Sequence, residues 1–262
     1  MRIDKKLILE VCAGSYEDCL AAARGGAKRV ELNSALALGG LSPSPAVLRK
    51  VRDDTDLEII CMVRPRAGGF CYNAAETEVM FEEARQLLEA GADGLAFGFL
   101  KRDGMVDQEK TRRMIDLIHA RPGRTAVFHR AIDVTPDVPE SAEILADLGC
   151  DRILTSGGQK KADNGLATLR ELQQDFGDRI EILAGSGVNG SNAVAILAAT
   201  GLNQLHSSCK GYGNDPTTMG DFVSFAYLPD PHGDAYEIVD WQKVQALREV
   251  MEAFQNASVQ TD

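Results

Sequence analysis

Short β-forming runs alternate with helical patterns along the whole of this chain, an order that restricts it to folds built on a parallel sheet with crossover helices. Eight strands are expected: Leu7 to Val11, Arg29 to Leu32, Leu57 to Val63, Gly94 to Phe99, Thr125 to Arg130, Arg152 to Thr155, Glu181 to Ala184 and Asn203 to Ser207. Ser15 and Ser44 are placed to cap the helices that follow the first two strands, and Asn189 or Ser191 to open the helix before the eighth. A glycine introduces alternate strands in similar wording, at Gly26, Gly91, Gly149 and Gly201. These glycines mark helix C-termini. Their spacing of 52 to 65 residues matches two βα units of about 30 residues each, so eight units account for the chain. The α/β class follows, as a (β/α)8 TIM barrel over residues 1–262. An open doubly wound sheet is the alternative, but Cys12-Ala13-Gly14-Ser15 stands after the first strand, where a dinucleotide fold carries G-x-G-x-x-G.

Past the eighth strand, Ser208 to Tyr236 is rich in Gly, Pro, Asp and Asn and too long for a routine connection, so a lid or insertion is expected. A last helix from about Ile238 to Gln255 and a fraying polar tail, Ser258 to Asp262, complete the chain. The net charge of −11 argues against a nucleic-acid binder and against an acidic membrane surface. Met1 to Glu10 has only the apolar run Leu7-Ile8-Leu9, short of a signal peptide, and no stretch reaches the ~18 apolar residues of a membrane span. Six cysteines without a C-x-x-C spacing fit reduced thiols in the cytoplasm.

Side chains in a barrel strand alternate between the interior and the helix layer. On that parity Glu10 and Cys12 share the inward set of strand one, Glu31 and Asn33 that of strand two, and Met62, Arg64 and Arg66 that of strand three. His129 ends strand five and His206 lies on strand eight. Charges inside a barrel need partners, and Glu10 and Glu31 are expected to face Arg64 and Arg66. A structural ion-pair network is the competing reading. The C-terminal rim is nevertheless where this architecture keeps its chemistry. His129, near Asp133, and His206 are candidates for proton transfer with Glu10 and Glu31. His119 and His232 read as surface residues.

Small-residue loops form a second signal: Thr155-Ser156-Gly157-Gly158, Gly185-Ser186-Gly187 and Ser207-Ser208 follow strands six, seven and eight. Such loops let backbone amides reach an anion, although glycines also serve merely to shape tight turns. Among the thiols, Cys12, Cys71 and Cys209 lie at or beyond strand C-termini, whereas Cys19, Cys61 and Cys150 belong to packed faces. Strands one and eight are neighbours in a closed barrel, so Cys12 and Cys209 are expected to approach and share a soft metal such as Cu(I).

The segments Leu9 to Cys12, Gly26 to Leu32, Gly39 to Ser44, Val63 to Arg66 with Gly68 to Tyr72, Phe128 to Asp133, Leu154 to Gly157 and His206 to Ser208 together resemble the CutC copper homeostasis family. The resemblance spans nearly the whole barrel. It implies a TIM-like barrel, a cytoplasmic homo-oligomer (dimer or higher), and a copper-handling role resting on copper bound by cysteines at the rim. The family's two candidate copper cysteines follow strands one and two; Cys12 matches the first, and Asn33 stands at the second. Cys71 and Cys209 are the thiols available in its place. The alternative is a metal-independent isomerase, epimerase or aldolase acting on a small phosphorylated or carboxylated substrate. In it the loops at Ser156, Gly157, Gly185, Ser186, Gly187 and Ser207 hold the anion and Arg64 and Arg66 clamp it, while Glu10, Glu31, His129, Asp133 and His206 serve proton transfer.

Overall fold

The computed structural model of the protein describes residues 6–259. Eight parallel strands, β1 (Ile8–Ala13), β2 (Arg29–Leu32), β3 (Glu58–Met62), β4 (Gly94–Phe97), β5 (Thr125–Phe128), β6 (Arg152–Thr155), β7 (Glu181–Ala184) and β8 (Gln204–Ser207), form a closed barrel in sequence order. Closure is made by β1 against β8, with Leu9 opposite Leu205 and Glu10 opposite His206. This excludes the open sheet. Outside the barrel lie α1 (Tyr16–Arg24), α2 (Pro45–Asp54), α3 (Ala74–Glu89), α4 (Gln108–His119), α5 (Val138–Asp147), α6 (Leu166–Phe176), α7 (Ala193–Thr200) and α8 (Trp241–Val259). Among the described residues no helix is long and apolar enough to cross a membrane.

Local chemistry explains where these elements begin and end. Ser15 Oγ accepts from the Asp18 amide at 3.0 Å and Ser44 Oγ from Ala46 at 3.1 Å, satisfying amides that have no carbonyl partner in a first helical turn. Gly26, Gly91, Gly149 and Gly201 all have φ between +76° and +102°, the left-handed conformation that turns the chain from a helix toward the next strand. The helix before β8 starts later than expected. Asn189 Oδ1 accepts from the Ser191 amide in a tight turn, and α7 opens only after Asn192.

Strand parity divides the barrel into two layers. Leu9, Val11, Val30, Ile59, Leu95, Ile153, Ile182 and Leu205 face the helices, each 6% exposed or less. Burial of such side chains stabilises by about 1.5–3 kcal/mol apiece. The interior itself is split. Ile60, Met62, Ala96, Val127, Leu154 and Leu183 form an oily cluster on the β3 to β7 side, whereas β8, β1 and β2 contribute charged and polar groups. Across that polar side the register aligns His206, Glu10, Arg29 and Glu58 on four adjacent strands. Positive and negative groups alternate along the row. Arg29, 1% exposed, donates to Glu10 at 2.6 Å and to Gln204 at 2.5 Å. Arg152 closes the floor of the barrel, donating to Glu181 at 2.7 Å and lying 4.0 Å from Glu10. Glu10 is thus neutralised by Arg29 and Arg152 from below. This corrects the expected pairing with Arg64 and Arg66, because the inward groups nearest its level are the first residues of β2 and β6.

The long segment after β8 is partly ordered as an antiparallel ribbon of β9 (Lys210–Asn214) and β10 (Ala235–Val239). Asp18 in α1 anchors it by accepting from the Val239 amide at 2.7 Å. Because Ile238 belongs to β10, the last helix starts at Trp241, whose ring stacks under the Arg24 guanidinium at 3.9 Å. That helix continues to Val259, through the start of the polar tail expected to fray; Met1 to Lys5 and the tail beyond Val259 lie outside the described residues.

Loss of Arg29 would leave Glu10 buried without its nearest cation. Arg29→Met is expected to lower stability by about 3–5 kcal/mol, whereas Arg121→Ala, which breaks the exposed pair with Glu89, costs under about 1 kcal/mol. Urea denaturation measures both; equal midpoints for the two variants would show that the interior charges contribute no stability.

Candidate functional site

At the C-terminal end of the strands the barrel opens into a cavity of about 490 Å³, with Cys12, Glu31, Asn33, Arg64, Phe70, His129, Asp133, Ser186 and His206 in its walls. Two walls carry different chemistry. On the first, β8 and β1 bring His206 Nδ1 to 2.8 Å from Glu10 Oε1. With Nδ1 facing that carboxylate, the second ring nitrogen is left toward Cys12 and Glu31; one donor atom each from Cys12, Glu31 and His206 lies within 4.8 Å of the others. Asn33 braces the group, its Nδ2 donating to Glu31 Oε2 at 3.0 Å and to Cys12 Sγ at 3.6 Å.

The electrostatics of this wall follow from burial and pairing. Burial alone would raise the Glu10 carboxyl, but Arg29, His206 and Arg152 overcome it and hold the group down at about 2. Glu31 has no arginine partner among the described residues. Burial pushes its carboxyl up, only partly offset by His206 and Asn33. Burial also opposes charge on His206, yet hydrogen bonds to Cys12 and Glu10 and the nearby Glu31 outweigh that and hold the imidazolium well above the ordinary histidine range. The Cys12 thiol is raised, chiefly by burial.

The second wall is built by β5 and the segment after β3. His129 directly follows β5 and caps a short 3₁₀ turn, Arg130–Val134, accepting from the Ala131 amide at Nδ1 over 3.1 Å. The ring sits on Gly98, where a Cβ would come within 2.5 Å of Cε1, and its centroid is 5.0 Å from that of Phe70. Burial, then the charges of Arg64 and Arg130, depress His129 to about 3. Arg64 is 6% exposed and donates to the carbonyls of Leu38, Gly39, Gly40 and Gly68.

Several expected site residues lie elsewhere or are already engaged. Arg66 is outside the mouth: β3 ends at Met62, parity lapses, and its guanidinium pairs with Glu76 at the start of α3. Asp133 is held by the loop expected to bind an external anion. Its carboxylate accepts from Thr155 Oγ1 at 2.5 Å, the Ser156 amide and hydroxyl at 3.0 Å each, the Gly158 amide at 3.1 Å and Arg130 Nε at 2.8 Å. The Gly157 amide is taken by Thr155 Oγ1. Gly185 packs inside the barrel, where a Cβ would meet Leu154 at 2.6 Å. Ser186 and Gly187 do line the mouth, and Ser186 takes φ +79°, rare for a residue with a side chain. Ser207 faces the helix layer, donating to the Val188 carbonyl.

The Cys12 and Cys209 pair is also corrected. Cys209 belongs to the outer apolar layer, its thiol on Ser207 Oγ, and the groups gathered around Cys12 are Glu31 and His206 instead. Odd parity turns position 209 away from the mouth while 206 and 208 face it. Cys71 is exposed beyond β3. His119 is on the surface, bonded to Asp151, while His232 is half-buried and stacks on Tyr212. Phe70 is a wall residue that strand parity could not reveal, because it lies in a loop.

The barrel recurs in known proteins. The model of the CutC family matches residues 7–211, which include all eight barrel strands. The chain belongs to the CutC family. A CutC family protein of Treponema denticola is 43% identical over 217 residues, covering 83% of this chain and 87% of that one. One from Bacteroides fragilis is 39% identical over 229 residues, covering 84% and 89%. The crystal structure of CutC from Streptococcus agalactiae, provisionally named a copper homeostasis protein, superposes with a TM-score of 0.72 at 31% identity, over 77% of this chain and 98% of that one. Thiamine phosphate pyrophosphorylase from Pyrococcus furiosus shares only the fold, at 16% identity and a TM-score of 0.55 over 95% and 96% of the two chains. The CutC match stops at residue 211, so most of the ribbon, the excursion it carries and α8 lie beyond it.

The depressed His129 has a measurable consequence. The unfolded ring takes a proton near 6.5 and the folded ring only near 3, so between those values the unfolded chain binds more protons and stability falls as the pH is lowered. In His129→Leu, unfolding free energy is expected to decline less between pH 6.5 and 4.5 than in the wild type, whose slope gains up to about 1.4 kcal/mol per pH unit from this group. Identical slopes in urea titrations would show that the ring is accessible to protons in the folded protein.

Proposed function

We propose that this CutC protein handles copper, with Cys12, His206 and Glu31 as the donors at the barrel mouth. The observation that carries the reading is the Glu10 contact to His206 Nδ1, the carboxylate-histidine arrangement that fixes a ligating imidazole and leaves its other nitrogen for a metal. One sulfur and one imidazole nitrogen suit copper, and the three donor atoms are close enough together for a single ion to meet them. Asn33, at the family's second cysteine position, serves as a brace rather than a ligand, since its amide nitrogen is turned to the sulfur. Copper is the cargo in this reading. Its arrival displaces protons from Cys12 and His206, so loading weakens in acid.

The same reading puts the protein in the cytoplasm, supported by six free cysteines, of which Cys19, Cys61, Cys150 and Cys209 are buried. It also includes assembly into a homo-oligomer. Support for that comes from the excursion between β9 and β10, where Phe222 is 99% and Phe225 79% exposed, a patch a second copy would cover.

Anaerobic Cu(I) titration against a competing chelator tests the site. Cys12→Ser and His206→Ala are each expected to weaken retention by more than about 100-fold and Glu10→Gln by about 10- to 100-fold, with Cys209→Ser unchanged. Wild-type affinity in Cys12→Ser would end the copper reading. For assembly, light scattering on a Phe222→Asp, Phe225→Asp double variant is expected to give a smaller mass than the wild type; equal masses would exclude the aromatic patch as the contact.

A further inference from the structure

We propose that the mouth also binds a small organic acid, a carboxylate or keto acid, one oxygen of which accepts a hydrogen bond from Nε2 of His129. Four observations lead there. The Ala131 amide donates to Nδ1, so the single proton of the neutral ring resides on Nε2. That Nε2 is buried and has no hydrogen-bond partner among the described residues. A buried donor without an acceptor is costly, and a ring lining a cavity has a ligand as its natural acceptor. Gly98 beneath the ring and Phe70 beside it fix the direction of the N–H bond before any ligand arrives.

Charge selects the kind of oxygen. Arg64 forms no ion pair among the described residues; backbone carbonyls and the face of the Phe70 ring, 5.1 Å from its Cζ, are what its buried guanidinium meets, and its own Nε is unpartnered. A positive group without a counter-charge therefore stands behind an unsatisfied neutral donor. An anionic oxygen satisfies both. The rest of the ligand would lie against Phe70, Met62 and Leu154, an apolar surface suited to a short carbon skeleton.

A phosphate fits less well. Phosphate sites gather several backbone amides on one group, and the amides that could do so after β6 already serve the Asp133 carboxylate. On the His129 wall there remain one directed N–H and the diffuse positive charge of Arg64. That complement matches a planar carboxyl or carbonyl group.

The test uses the full-length protein labelled with [15N]histidine, pyruvate as probe and inorganic phosphate as a second arm, with an excess of metal chelator throughout. Long-range proton-nitrogen spectra are expected to show His129 as the Nε2–H tautomer and to show its ring proton moving, saturably, with millimolar pyruvate. His129→Leu should weaken pyruvate binding by about tenfold or more in calorimetry. An Nδ1–H tautomer, absence of a saturable shift with pyruvate, or an equal shift with phosphate would each overturn the assignment. The wild-type spectra stand without the variant, should that one fold poorly.

Discussion

The mouth depends on a row of alternating charge that crosses four adjacent strands inside the barrel. Glu10 sits in that row between the cation of Arg29 and the ring of His206. A lone carboxylate at 2% exposure would be protonated or expelled; with Arg29 and Arg152 beneath it, it remains ionised and has one oxygen free to orient an imidazole above. Floor and mouth are in this sense one electrostatic object. The floor carries the compensating charge, and the mouth receives a histidine whose tautomer and direction are set by it.

A similar economy governs the loop after β6. Thr155, Ser156 and Gly158 form a nest of donors suited to a phosphate, and the chain supplies its own anion in Asp133. The carboxylate fastens the 3₁₀ turn that begins at His129 to the neighbouring strand. The nest thereby becomes a clamp that holds the rim in shape, and the turn that His129 caps is fixed in part by that loop.

Within the strands, much could be read from the sequence. Period-two alternation assigned Glu10, Cys12, Glu31 and His206 to the interior, and the recurrent glycines located the turns between helix and strand, because both signals are local consequences of backbone geometry. Beyond the strand ends the same rule misled. Arg66 was expected inside by parity but follows an irregular segment, and Cys209 lies on the odd side of the strand end. Partner choice was less legible still. Arg29 shares the parity of Glu31 as Arg64 shares that of Met62, and only the stagger of the closed barrel determines which of the two arginines meets Glu10. Phe70 and the engagement of Asp133 depend on contacts between distant loops, for which no periodic pattern exists.

The two-sided interior bears on how this sequence can change over time. Ile60, Met62, Val127, Leu154 and Leu183 meet one another through shape alone, and one hydrocarbon can replace another there if volume is kept. On the opposite side Glu10, Arg29, Gln204 and His206 are tied by direct bonds, so a replacement at one is tolerated only when another is replaced in step. Descendants of this chain should therefore drift freely along one flank of the cylinder and show covariation along the other, an evolutionary record of where hydrocarbon gives way to charge.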